Sequence, residues 1–366
     1  MIGIIDADLI GRSKHRFPNL ALMKLSGYYK EFVGGVKLLM DYSEIDQYDK
    51  VFISKVFTDT PIDDAVLKMP NVEYGGTGFF YDKAPPLKND IEHHMPDYHL
   101  YDDYIQECLL SGMKKQDFKY YTDYSIGFLT RGCFRKCPFC VNKNYDRVKL
   151  HSPLKEFLDP DRKKICMLDD NILGSPDWKR LFGELIDTNK PFRFQQGMDE
   201  RILTDEKCRI LFQAKYDGDM TFAFDNVADY DLIKEKLQLI RKYSDRQVRF
   251  YVLCGFDRNG KYDGSFWRQD IYDLFKRIGL LMEYGCLPYI MRFNKYEDSP
   301  YSGAYITIAR WCNQPSFFKK LSLNEFAEIR NGKRKESADN KRVAQLRDNF
   351  PDIAKEYFNL RFKESK

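Results

Sequence analysis

A chain of 366 residues is long enough for two domains of ordinary size. Its 43% hydrophobic and 31% charged residues are a globular composition, which excludes an extended disordered protein. The net charge of +4, from 59 basic and 55 acidic side chains, excludes a uniformly basic surface made for nucleic acid. Nine cysteines in no regular array argue against a disulfide framework and suit a reducing compartment, so cytoplasmic residence is expected. The start of the sequence lacks the basic-then-apolar pattern of a leader, and no stretch approaches the roughly 20 apolar residues of a membrane span.

In chain order, short apolar runs at residues 2–7, 35–39, 50–54 and 72–74 read as strands. Helical spacing appears at 19–30 and 63–68. Strands alternating with helices predict a small parallel α/β domain, Rossmann-like, over residues 1–80. Residues 81–120, with Pro85, Pro86 and Pro96, read as a connector. From 121 the alternation restarts, with strands expected at 124–130, 164–168, 191–195, 220–224, 247–253 and 286–292. Helices are expected at 177–188, 204–214, 229–243 and 266–284. Six βα units over 121–295 predict either a partial (β/α)6 barrel or a large open sheet, with the ligand at the carboxyl ends of the strands. Residues 296–366 read as a helical C-terminal region. From 319 onward it carries 13 Lys and Arg against 8 Asp and Glu, in two polar helices broken near Asn331-Gly332 and Pro351. The overall expectation is an α/β protein: small domain, partial barrel, helical tail.

The chemistry concentrates in Thr130-Arg131-Gly132-Cys133-Phe134-Arg135-Lys136-Cys137-Pro138-Phe139-Cys140, directly after an expected strand. A C-x3-C-x2-C loop is long enough to place Cys133, Cys137 and Cys140 on one cubane iron–sulfur cluster, leaving the fourth iron without a protein ligand. An open iron, like the open position of a catalytic zinc, is where a substrate or cofactor binds. Arg135 and Lys136 place positive charge beside an anionic cluster. A structural zinc site would need His151 or another fourth ligand, and a ferredoxin-like carrier would need a fourth cysteine and a far smaller chain. His93, His94 and His99 cluster in the connector and are expected at the surface rather than on a metal. The other six cysteines show no second cluster spacing and are expected mostly as small buried residues.

The cysteine loop, Phe139 just before its last cysteine, and the six following βα units together resemble the radical S-adenosylmethionine superfamily over residues 121–295. The resemblance implies that Cys133, Cys137 and Cys140 hold a [4Fe–4S] cluster and that S-adenosylmethionine chelates its unique iron. One electron then splits a carbon–sulfur bond, giving a 5′-deoxyadenosyl radical that takes hydrogen from an organic substrate, here unidentified. It also implies an electron donor such as flavodoxin or ferredoxin. Where the family often has a Gly-Gly-Glu-type segment, this chain has Asp169-Asp170-Asn171, which departs from the pattern yet offers carboxylates to the cofactor's ammonium. The same residues equally suit a turn or a helix cap. By the same resemblance Gln195, Asp225, Cys254 and Gly255, at the ends of later strands, are candidate cofactor contacts, with Phe139 beside the cluster.

The first domain, ending in Gly75-Gly76-Thr77-Gly78, is similar to the cobalamin-binding domains that precede many such barrels. The Asp-x-His-x-x-Gly signature is absent, and His15 stands outside that context, so cobalamin is not expected to bind. A cobalamin-dependent methyltransferase is therefore the alternative enzyme. An iron–sulfur or zinc module binding nucleic acid through its basic tail is the alternative outside enzymes.

Overall fold

Strand β1 (Ile2–Asp6) is buried throughout and lies at the centre of a four-stranded parallel sheet. Its partners are β2 (Val36–Leu38) and β3 (Lys50–Ser54), and β4 (Val72–Gly75) pairs with β3, giving the order β2–β1–β3–β4. Parallel neighbours need crossover connections, and the helix Leu20–Phe32 supplies the first. That helix starts where the Asn19 side chain accepts from the Leu22 amide, and it buries Leu22, Met23 and Leu25. The computed structural model describes residues 1–13, 15–329 and 337–363.

The chain divides into two compact units, residues 1–169 with 187–192, and residues 170–186 with 193–366. Residues 81–120, expected as a connector, belong to the first unit. Ile91, Tyr98, Leu100, Tyr101, Ile105 and Phe118 from this stretch pack with Ile2, Ile4, Leu22 and Phe52. Its aromatic and aliphatic side chains cover the small sheet, which cannot bury one face alone.

Further along the first unit, β5 (Tyr124–Gly127) pairs in parallel with β8 (Lys164–Met167). The strand expected over 124–130 is broken. Its last residue, Thr130, instead joins Arg131 in β6 (Thr130–Arg131), which runs antiparallel against β7 (Lys149–Leu150). At the break stands Gly127, where a Cβ would lie 2.3 Å from the buried ring of Phe157. Strand β9 (Phe192–Phe194) begins at the end of this unit.

In the second unit β10 (Met220–Ala223), β11 (Val248–Cys254) and β12 (Leu287–Arg292) form a parallel sheet in sequence order. Burial alternates along β11: Val248, Phe250, Val252 and Cys254 are buried, and Arg249, Tyr251 and Leu253 are half-exposed on the other face. The helix Gly264–Glu283 packs on β11 and β12. It opens where the Asp263 carboxylate accepts from the Phe266 amide at 2.9 Å, and it buries Trp267, Ile271, Leu274, Phe275, Ile278 and Leu281. Helices Ser302–Cys312, Ala338–Asn349 and Pro351–Tyr357 follow, the last with Pro351 at its first turn. The tail break expected at Asn331-Gly332 lies outside the described residues.

Among the described residues no helix is long and apolar enough to cross a membrane. The protein is α/β with parallel sheets.

Candidate functional site

The cysteine loop spans residues 132–148 between the two strands of the β6–β7 hairpin. Gly132 starts it with φ +93°, and a Cβ there would lie 2.6 Å from the Tyr145 ring and 2.7 Å from the Arg147 carbonyl. Cys133, Cys137 and Cys140 are half-buried and in no disulfide. The Arg135 amide donates to Cys133 Sγ and the Asn142 amide to Cys140 Sγ, both at 3.4 Å. The Cys140 amide donates to the Cys137 carbonyl at 3.0 Å. Hydrogen bonds to cysteine sulfur are one of the features that tune an iron–sulfur cluster. Residues 131–149 also carry six basic side chains against one acidic, Asp146, which pairs with Lys136.

This donor set suits an iron–sulfur cluster in chemistry. Among the described residues, however, no group of three His, Cys, Asp or Glu side chains is arranged to hold a metal ion. His93 pairs with Glu156 at 2.7 Å and stacks on His151 at 5.3 Å, while His94 pairs with Glu31 and His99 with Asp102. Burial, chiefly, lowers His151 to about 4. That ring faces Glu92 and Ser152.

Of the residues expected to contact a cofactor, Phe139 and Asp169 lie in the first unit. Phe139 is half-buried, and its carbonyl accepts from the Tyr81 hydroxyl at 3.4 Å. Asp169 is 3% exposed, and its carboxylate accepts from the Leu129 amide, the Thr130 amide and the Thr130 hydroxyl.

Asp170, Asn171, Gln195, Asp225, Cys254 and Gly255 lie in the second unit. Asp170 is half-buried. Asn171 is buried and donates through Nδ2 to Asp199 at 3.3 Å. Asp199 also accepts from Arg201, which reaches Asp229 as well. The Gln195 carbonyl accepts from Tyr251 Oη at 3.5 Å.

Asp225, Cys254 and Gly255 come together at the carboxyl ends of β10 and β11. Asp225 accepts from the Leu253 amide, and Gly255, at φ +74°, donates its amide to Asp270 at 2.8 Å. Tyr305 also donates to Asp270, at 2.6 Å. Burial raises both Asp225 and Asp270 above the usual carboxylate range. It raises the Cys254 thiol too, which donates weakly to the Met291 carbonyl.

Arg277 anchors this arrangement. It is 2% exposed, and one guanidinium nitrogen reaches the carbonyls of Phe224, Asp225 and Leu253 at 2.8–3.1 Å. Arg277, Asp270 and Tyr305 escaped the sequence reading because each sits mid-helix, where a charged or phenolic residue is usually solvated. Only their distant partners reveal them. Glu200, at the start of the short turn Glu200–Ile202, escaped it as well; burial pushes it up to about 8.

No known protein family model matches this chain, and no curated protein matches it. Among solved structures it is similar to the cobalamin-dependent S-adenosylmethionine radical enzyme OxsB with aqua-cobalamin and S-adenosylmethionine bound. Identity is 12% and the TM-score 0.36, with 97% of this chain and 56% of that one covered. The chain therefore spans little more than half the length of that structure.

Proposed function

We propose that this chain is a radical S-adenosylmethionine enzyme whose Cys133, Cys137 and Cys140 hold a [4Fe–4S] cluster. The observation that carries the reading is the C-x3-C-x2-C loop itself. Three cysteines follow the carboxyl end of β5 on a hairpin, and the sulfurs of two of them receive backbone N–H groups. When bound, such a cluster supplies the single electron that cleaves a carbon–sulfur bond of S-adenosylmethionine. Arg135 and Lys136 would balance its negative charge.

The half-exposed face of β11 and β12, with Tyr251, Leu253 and Met291, lines the substrate space. Asp170 and Asn171 serve the cofactor's polar end, and Gln195 and the Gly255 carbonyl serve the nucleoside. The Asp225 carboxylate and the Gly255 amide are already spent on holding β11, so they position that edge. An electron-transfer protein is the expected reductant.

Anaerobic reconstitution tests the cluster. The wild-type chain should turn brown and bind about four irons, and replacing Cys133, Cys137 or Cys140 with Ala should remove most of them. A full cluster in any of the three variants would overturn the ligand assignment.

A further inference from the structure

The backbone leaves the β5–β8 ladder after Gly127, whose carbonyl takes the last rung from the Leu168 amide at 2.9 Å. Beyond that point Leu129 and Thr130 are buried, at 2% and 0% exposure, and have left the β5–β8 ladder. Asp169, the residue next after Leu168, receives both of their amides. Its Oδ2 accepts from Leu129 N at 3.2 Å, and its Oδ1 accepts from Thr130 N and Thr130 Oγ1, each at 2.6 Å. The segment after β7 holds this stretch from another side, His151 N donating to the Leu129 carbonyl and Ser152 N to the Phe128 carbonyl. The base of the hairpin is thus fixed by one carboxylate and one segment, three residues before Cys133.

We propose that Asp169 is a positioning residue for the cysteine loop, acting through Thr130 to set where the loop leaves the sheet, rather than a ligand of the S-adenosylmethionine ammonium. A buried amide without an acceptor is costly, so losing the carboxylate frees the loop's base to move. Thr130 serves this purpose better than most residues because it offers Asp169 two donors, an amide and a hydroxyl. The proposal rests on the cluster reading for its consequence, since a loosened base changes how firmly iron is held.

The test compares Thr130→Val, Thr130→Ser, Asp169→Asn and wild type, all as full chains reconstituted without oxygen. Thr130→Val and Asp169→Asn should lose iron to a chelator about 10-fold faster or more, with a changed electron paramagnetic resonance spectrum of the reduced cluster. Thr130→Ser should behave as wild type, because it keeps the hydroxyl. In each iron-loaded fraction the affinity for S-adenosylmethionine should stay unchanged. If Asp169→Asn weakens S-adenosylmethionine binding about 10-fold while iron release stays at the wild-type rate, Asp169 is a ligand and the proposal fails. Unchanged iron release in Thr130→Val would overturn it as well, whether or not Asp169→Asn folds. Amide hydrogen exchange over residues 129–133 in the iron-free chains reads the brace separately and should speed up in Thr130→Val. A wild type that takes up no iron would overturn the cluster reading while leaving this exchange result to decide the brace.

Discussion

Glu200 is tied to Ala223 at the edge of β10: its Oε2 accepts the Ala223 amide at 3.0 Å. Its Oε1 is buried without a hydrogen-bond partner among the described residues, Arg201 Nε lying 3.9 Å away. Burial therefore favours the protonated acid, and Glu200 rises from 4.5 to about 8. Folding takes up a proton between those two values. The stability that Glu200 contributes is complete below about pH 4.5 and is lost as pH rises toward 8. Asp6, buried beside Tyr101 and raised to about 7, acts in the same direction.

The measurable consequence is that Glu200→Gln flattens the alkaline side of the stability profile. Thermal or urea unfolding at pH 5 and pH 8.5 should show the variant gaining about 1–4 kcal/mol on wild type between the two conditions. Parallel profiles would show that Glu200 is ionised in the folded protein.

Gly132→Ala should disorder the start of the cysteine loop. The residue sits at φ +93°, and the added methyl has no room between Tyr145 and Arg147. The local cost is about 1–3 kcal/mol, and amide exchange over residues 131–147 should rise accordingly. Wild-type protection in the variant would contradict this account of the loop's entry.

Arg277→Met should destabilise the second unit by about 3–5 kcal/mol in urea unfolding. It removes the donor from three carbonyls and the cation from beside buried Asp225 and Asp270. Arg277→Lys should recover only part of this, because an ammonium lacks the planar guanidinium. Full recovery by Lys would mean that charge alone matters.

The regular elements were legible in the sequence. Strand 50–54 was placed to the residue, and helices 177–188, 204–214, 229–243 and 266–284 each ended within two residues of the observed ones. Apolar spacing carries that information locally. Asp169 with Thr130, Arg277 with Leu253, and Asp270 with Tyr305 were not legible, because each joins residues 24 to 39 positions apart. A pattern that marks Asp169 as polar at the end of a strand cannot tell whether it turns toward a ligand or toward the backbone. Residues 81–120 misled for a related reason. Proline and irregular spacing hid the fact that Tyr98, Leu100 and Tyr101 are core residues.

The first unit is expected to retain no cobalamin. Gly76 and Gly78 are needed for the segment from Lys55 to Phe57, since a Cβ on either would lie 2.3 or 2.7 Å from that backbone. Hydroxocobalamin added during reconstitution should wash out on desalting. A stoichiometric corrin absorbance would instead favour the methyltransferase alternative.

The central claim is that Cys133, Cys137 and Cys140 support reductive cleavage of S-adenosylmethionine. The most direct measurement is 5′-deoxyadenosine formed by the reconstituted full chain with dithionite and S-adenosylmethionine. The account predicts its formation by wild type and none by the Cys137→Ala variant. An iron-loaded wild type that leaves S-adenosylmethionine intact, or equal cleavage by the variant, would contradict it.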